Sequence, residues 1–317
     1  MSNTKVVIVE GARTPMGGLL GSLSAVAAPE LASTAIAAAI SRSQIAPADV
    51  DEVFMGCVLP AAVKQCPARQ AAIGAGIPKS AGAVTVNTAC GSGMQATIFA
   101  YDSIVAGTNK VVVAGGMESM SNAPHMLQGA RGGLGTGHKT VYDHMFMDGL
   151  EDAYTGRAMG SFAQETVNER GITREQMDAF AIESLTRAKN AIDAGALSAE
   201  IAPVTVTTRK GDTVVTDDEQ PHKAVVEKIP GLRPAFAKDG SITAANSSSI
   251  SDGASALVLM TEDDAKSRGL SPMARIVAHS RHSQEPSEFT IAPIGAVRKL
   301  LDKTGWEVAD VDLFEIN

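Results

Sequence analysis

The chain has 317 residues, enough for two domains or one large one, and its 44% hydrophobic, 20% charged and 4% aromatic residues suit closely packed α/β layers better than an aromatic-rich β-sandwich. A net charge of −8 with no Lys/Arg cluster argues against nucleic-acid binding, and no apolar run approaches the ~18 residues of a membrane helix. Three cysteines without regular spacing exclude a disulfide framework; with no signal-peptide core at the N-terminus, they make the cytoplasm the expected location.

Residues 5–10 form a short apolar run, read as a buried first strand, followed by loop chemistry at 11–18. An alanine-rich helix is expected at 29–41, a strand at 50–59 and a helix at 67–76, the last with Pro67 at its tolerated first position. A strand at 84–87 feeds a helix at 91–106 that Gly107 ends, and a strand at 110–114 is closed by Gly115 and Gly116. This alternation predicts parallel strands with helices on both faces.

From about 117 the pattern breaks. Gly-, Pro-, Ser- and Asn-rich segments at 117–124 and 129–137 read as a covering loop, and helices follow at 161–170 and 173–194. Thr173 and Gln176 form a capping signal for the second of these. Strand-like pieces lie at 204–208 and 213–215, and the acidic run 216–221 reads as a solvated turn with no metal site expected. Alternation then resumes: a strand at 254–260, a helix at 262–268, a strand at 274–283, a helix at 293–303 and a strand at 311–316. A parallel strand normally continues into a crossover, so a strand so near the last residue is read as a truncated chain.

Cys90 stands out among candidate functional residues. It lies in Val84-Thr-Val-Asn-Thr-Ala-Cys-Gly-Ser-Gly-Met-Gln-Ala96, where a β-branched stretch gives way through two glycines to a helix. A helix N-terminus favours the thiolate, the species that attacks acyl groups. Gly91 and Gly93 allow close backbone approach and leave N–H groups for an oxyanion. Local chemistry alone leaves two readings open, a nucleophile or a small buried hydrophobe. Cys57, inside an apolar run, fits the second, and Cys66 before Pro67 reads as a loop or helix-start residue. His125, His138 and His144 read as surface or loop residues, with no zinc pattern around them.

Seven segments, taken in order, resemble the thiolases, the acetyl-CoA acetyltransferase and 3-ketoacyl-CoA thiolase family. They are Gly11-Ala-Arg-Thr-Pro-Met-Gly17, Asn87-Thr-Ala-Cys-Gly-Ser-Gly-Met-Gln-Ala96, Ala114-Gly-Gly-Met-Glu-Ser-Met-Ser-Asn-Ala-Pro124, Asp148-Gly-Leu150, Arg209-Lys-Gly-Asp212, Leu232-Arg-Pro-Ala-Phe236 and Asn246-Ser-Ser-Ser-Ile-Ser-Asp-Gly-Ala254. The resemblance implies an α/β fold with a five-layered α-β-α-β-α core and an inserted loop domain. One core half would comprise 1–119 with 249–271, the coenzyme A-binding loop domain 120–248, and the second half would begin at 272 and be incomplete at 317, lacking roughly 75 residues of a domain of ordinary size.

By the same resemblance Cys90 is the acylated nucleophile, its N–H polarises the thioester oxygen, and Asn317 holds a water in the oxyanion hole of the second substrate. Ser248 would contact the pantetheine arm, with Leu150, Met159, Phe236, Ala244 and Phe289 lining the acyl and pantetheine tunnel; core packing is the other reading of these apolar residues. The implied activity is thiolytic cleavage of 3-ketoacyl-CoA and the reverse Claisen condensation of two acetyl-CoA, placing the chain in fatty acid metabolism. Coenzyme A is then substrate and product, no covalently bound cofactor or metal is expected, and the partners are acyl-CoA thioesters and further copies in a homodimer or homotetramer, without nucleic acid or membrane.

The chain also departs from the family pattern. The Gly-His-Pro segment with the activating His and the Cys-x-Gly-Gly-Gly segment with the second Cys do not occur in these 317 residues, so the chain as given is expected to be inactive. Ala158 stands where many short-chain members have a pantetheine-contacting His, and the basic contact to the coenzyme A phosphates is open between His222 and Lys223. A ketoacyl synthase-like condensing enzyme, a hydroxymethylglutaryl-CoA synthase and a non-catalytic CoA-binding fragment are the alternatives.

Overall fold

The computed structural model describes residues 4–316. In chain order these form β1 (Val6–Arg13), β2 (Gly17–Gly18), α1 (Ala28–Ser43), β3 (Glu52–Gly56), α2 (Pro67–Gly74), β4 (Gly82–Val86), α3 (Ser92–Val105), β5 (Val112–Ser119), β6 (His125–Met126), β7 (Tyr142–Asp143), α4 (Met159–Arg170), α5 (Arg174–Asp193), β8 (Val204–Thr208), β9 (Gly211–Val215), α6 (Glu219–Lys223), β10 (Ser251–Thr261), α7 (Glu262–Ser267), β11 (Ala274–Ile276) and α8 (Ala292–Thr304). They divide into two units, one of 1–149, 191–223 and 250–276, the other of 150–190, 224–249 and 277–317. The segment 120–248 is thus shared between them.

The first unit is built on a seven-stranded sheet of order β11-β1-β10-β5-β3-β4, with β2 pairing β10. Side chains alternate across a strand, so each strand feeds two cores. Val7 and Val9, Val53 and Met55, Val111 and Val113, and Ala256, Val258 and Met260 face α1 and α2, where Ala32, Ala35, Ile36, Ala39, Ala68 and Ala71 are buried. Val6, Phe54, Val112, Ala114 and Leu259 face α3, through its Ala96, Ala100 and Ile104. The result is three layers, α-β-α, whose small side chains let the helices pack close to the sheet. The hairpin β8–β9 adds a third cluster, Val204 and Val206 against Leu23, Val26 and Leu31.

The sheet is mixed rather than parallel as expected. β3 pairs in parallel with β4 and β5, but β10 runs antiparallel between β1 and β5, and β11 antiparallel to β1. β5 also runs straight through Gly115 and Gly116, which were expected to close it. A Cβ at Gly115 would collide with the Ser255 carbonyl oxygen of β10, so the glycine keeps the two strands at pairing distance rather than ending one.

Two more expected strands are corrected. Only Ala274–Ile276 of 274–283 is a strand, because β1 begins at Val6, which already pairs with Ile276 and leaves no partner beyond it. Residues 311–316 are irregular, with Leu313 81% and Ile316 67% exposed: a strand needs a neighbour for its backbone groups, and none flanks this segment among the described residues.

In the second unit, α4 and α5 carry a long irregular segment. Gln164 Oε1 accepts the Ser241 and Ile242 N–H groups, at 2.8 and 3.2 Å. Buried Asp178 accepts from Asn246 Nδ2 at 2.9 Å and from Arg174 Nε at 2.6 Å, while Arg174 also donates to the Ile229 and Leu232 carbonyls. Thr173 and Gln176 form the expected reciprocal cap of α5, at 2.9 and 3.3 Å. Among the described residues, no helix is long and apolar enough to cross a membrane.

Candidate active site

The parallel strands β3, β4 and β5 end at one edge of the sheet, the edge where open α/β sheets place their ligands. Cys57 follows β3, Cys90 follows β4, and Glu118 lies near the end of β5. All three therefore lie at that edge.

Cys90 is exposed, which removes the buried-hydrophobe reading. It stands between Ala89, held in the left-handed region at φ +51°, and Gly91, the N-cap of α3. A non-glycine residue there is strained and persists only where its neighbours impose it. The Ala89 N–H donates to Asn87 Oδ1 at 3.0 Å, and its carbonyl accepts from the Ser92 hydroxyl at 2.5 Å and the Ser92 N–H at 3.0 Å. The Ser92 oxygen also receives the Thr88 N–H at 2.9 Å. The turn thus places the Cys90 thiol immediately before a 14-residue helix, whose free N–H groups make the N-terminus a site for negative charge.

Close packing fixes the helix start. A Cβ on Gly56 at the end of β3 would lie 2.6 Å from the Gly93 nitrogen, so that glycine lets α3 descend onto the sheet. A Cβ on Gly91 would meet only Thr88, at 3.6 Å and beyond, leaving the approach to Cys90 open.

Cys57 is 1% exposed. Its Sγ donates to Glu118 Oε1 at 3.6 Å; burial, then the Glu118 charge, push the thiol up to about 12. Glu118 also accepts the Val58 N–H at 2.8 Å and the Leu59 N–H at 3.0 Å. Its own carboxyl is raised by burial, against the pull of these donors and of His144. His144 is not the surface residue expected: it is buried, its Nδ1 is 2.6 Å from Asp148 Oδ2, and its Nε2 accepts the Ala61 N–H at 3.3 Å. Donation to Nε2 requires the tautomer protonated at Nδ1. The spacing of His144 and Asp148, one helical turn apart, was the available sequence signal for this pair. His125 and His138 are exposed.

The acidic run 216–221 is likewise not a solvated turn. Asp218 is buried, receives both Nη groups of Arg13 and the Met16 N–H, and is held below the usual carboxylate range by these bonds against the opposing effect of burial. Glu219 accepts the Gly18 and Ser22 N–H groups and the Ser22 hydroxyl, and pairs with Lys223. Burial alone would raise this carboxyl, but Lys223 and the three donors hold it at about 2. These carboxylates staple the 11–18 motif in place. Lys223 is therefore engaged within its own helix, and His222 is exposed.

The residues assigned to the tunnel all belong to the second unit, and Cys90 to the first. None lies in a buried core: Leu150 and Met159 are half-buried, and Phe236, Ala244, Ser248 and Phe289 are exposed. The Phe236 ring covers Gly160, the residue after Met159, so closely that a Cβ there would overlap it. Ala244 and Ser248 share the loop that Gln164 and Asp178 pin, and the Thr290–Thr166 hydroxyl bond of 2.9 Å ties the Phe289 turn to α4. Ala158 is the N-cap of α4, and Asn317 lies outside the described residues.

The chain is similar to known proteins. The family models described as thiolase, N-terminal domain, and thiolase, C-terminal domain, match residues 6–263 and 270–317. The expectation of an incomplete C-terminal half finds no support in the second match. An acetyl-CoA acetyltransferase of Schizosaccharomyces pombe is 46% identical over 100% of this chain and 81% of its own length. Acetyl-CoA acetyltransferase 2 of Arabidopsis thaliana is 49% identical over 98% of this chain and 78% of its own. The crystal structure of the Bacillus anthracis acetyl-CoA acetyltransferase superposes with a TM-score of 0.96 at 40% identity, covering 99% of this chain and 80% of that one. A thiolase from Ascaris suum in complex with coenzyme A gives 0.93 at 39% identity, with the same coverage. With both domain models matched and relatives near half identical along its length, the chain belongs to the thiolase family.

Proposed function

We propose that this protein is an acetyl-CoA acetyltransferase that works through an acyl-enzyme on Cys90. The observation that carries the reading is the exposed thiol held by a strained turn directly before α3, at the carboxyl edge of the sheet. In the degradative direction the Cys90 sulfur attacks the keto carbon of a 3-ketoacyl-CoA. The carbon–carbon bond breaks, the departing carbanion takes up a proton equivalent to the one the Cys90 thiol gave up and becomes acetyl-CoA, and the acyl group stays on sulfur. The thiol of coenzyme A then attacks that thioester and frees Cys90. In the synthetic direction Cys90 carries an acetyl group, and a second acetyl-CoA, deprotonated at its methyl, displaces it. A covalent intermediate split over two steps gives ping-pong kinetics.

Ser248, Leu150, Met159, Phe236, Ala244 and Phe289 are assigned to the pantetheine and acyl groups. Support comes from partly exposed apolar surface on loops that buried polar side chains hold still. Asn317 is assigned to water binding at the second substrate. A five-layered core belongs to the same reading, supported by the three layers of the first unit and the superpositions on solved relatives, and assembly into dimers or tetramers is what the family resemblance implies.

Incubation with acetoacetyl-CoA followed by intact-mass analysis tests it. On a chain that also carries the activating His and the second Cys, one acyl group per chain is expected, mapped to the Cys90 peptide, and none on Cys90→Ser. An adduct that survives in Cys90→Ser, or none on that chain with Cys90 intact, overturns the assignment.

A further inference from the structure

We propose that Glu118 is a positioning residue for Cys90, acting through the chain that leaves β3 and through Asn87; this rests on Cys90 being the nucleophile. Pairing between β3 and β5 ends at Gly56 and Gly116, and two residues further on Glu118 reaches across to the departing strand. Its Oε2 takes the Val58 N–H; its Oε1 takes the Leu59 N–H and the Cys57 thiol. Three donors converge on one carboxylate and fix the backbone of residues 57–59.

That backbone is in turn the anchor of the nucleophile turn. The Val58 carbonyl accepts from Asn87 Nδ2 at 3.4 Å, and Asn87 Oδ1 accepts the Ala89 N–H at 3.0 Å. The Asn87 amide therefore links the segment Glu118 holds to the residue that adopts positive φ. Ser92 restrains the Ala89 carbonyl side of that turn, and the Glu118–Val58–Asn87 chain restrains its N–H side. Left-handed alanine is strained, so the turn relaxes when one restraint is lost.

A glutamine cannot replace Glu118. The Val58 and Leu59 N–H groups go to different carboxylate oxygens, and an amide would put an N–H₂ donor where one of those oxygens stands. Asn87 also bonds Ala89 directly, so its loss alone does not implicate Glu118; Glu118 acts through it only if losing either residue slows Cys90 and the two losses do not multiply.

Iodoacetamide labelling of the full chain, resolved peptide by peptide, tests the proposal. Exposed Cys66 serves as the reference thiol, and buried Cys57 reports whether the fold holds. Glu118→Gln and Asn87→Ala are each expected to slow Cys90 labelling about five- to ten-fold relative to Cys66, the worth of one hydrogen bond. The double variant should be no slower than the slower single one, since both act on one chain of contacts. Ala89→Gly in the Asn87→Ala background should restore the rate, because glycine holds positive φ unaided. A Cys90 rate in Asn87→Ala within two-fold of the unaltered protein overturns the proposal, as do slowdowns that multiply in the double variant. Should Glu118→Gln expose Cys57 and so unfold, Glu118→Ala takes its place in the single- and double-variant comparison, and a Cys90 rate unmoved by it in a chain whose Cys57 stays buried overturns the proposal. If these variants behave as expected while no acyl adduct forms on Cys90, the proposed function fails and the positioning role stands.

Discussion

Arg13 grips Asp218 through two parallel hydrogen bonds, Nη1 to Oδ1 at 2.7 Å and Nη2 to Oδ2 at 2.9 Å. The Asp218 side chain is 7% exposed and that of Arg13 22%, so the pair is largely withdrawn from water. Asp218 Oδ1 also receives the Met16 N–H at 2.8 Å, and Arg13 Nε reaches Glu200 at 2.6 Å. The opening motif is thereby locked to a segment some two hundred residues later.

Arg13→Lys keeps the charge but loses the fork, and is expected to lower the unfolding free energy by about 2–3 kcal/mol, as for a charged hydrogen bond lost next to a buried carboxylate. Urea denaturation measures this. An unchanged midpoint and slope would show that the fork contributes nothing.

Glu219 makes stability depend on acid. Its carboxyl is held at about 2 against an ordinary 4.5. The folded value is the depressed one, so its stabilisation is present above pH 4.5 and is lost as pH falls through 4.5 toward about 2. Asp218 is shifted the same way and adds to the effect. Acid titrations followed by circular dichroism should therefore show a shallower loss of stability in Glu219→Gln than in the unaltered protein over that window. Superimposable curves would exclude Glu219 as a source.

Gly56→Ala is expected to cost about 2–3 kcal/mol of stability, because its Cβ would meet the backbone of Gly93 and Ser92 rather than a movable side-chain tip. It should also displace the start of α3, and with it Cys90. Thermal unfolding with Cys90 labelling checks both effects; a variant of unchanged midpoint and Cys90 rate would show that the helix start has room to spare.

The layers of the first unit were largely legible in the sequence because they depend on local periodicity. Val7 and Val9 alternate with Val6, and Ala32, Ala35, Ile36 and Ala39 recur at helical spacing. The position of Cys90 before a helix could be read for the same reason. What stayed hidden depends on partners remote in the chain. Gly115 looks like a strand terminator until Ser255 is placed beside it. Asp218 and Glu219 look like part of a solvated turn until Arg13, Gly18 and Ser22 arrive. Glu118 offers no spacing signal, since the groups it binds lie about sixty residues earlier. The antiparallel insertion of β10 escapes any reading of alternation, because strand direction is set by the path of the intervening chain.

That insertion fixes the order in which the protein can be finished on the ribosome. Val6 and Val112 belong to strands made early, yet both must wait for partners around Leu259 and Thr261. At ordinary elongation rates the interval between β5 and β10 lasts on the order of ten seconds. Throughout it β5 keeps one edge open and β1 lacks both of its partners, β10 and β11, so the chain's own later segment must reach them before any foreign strand does.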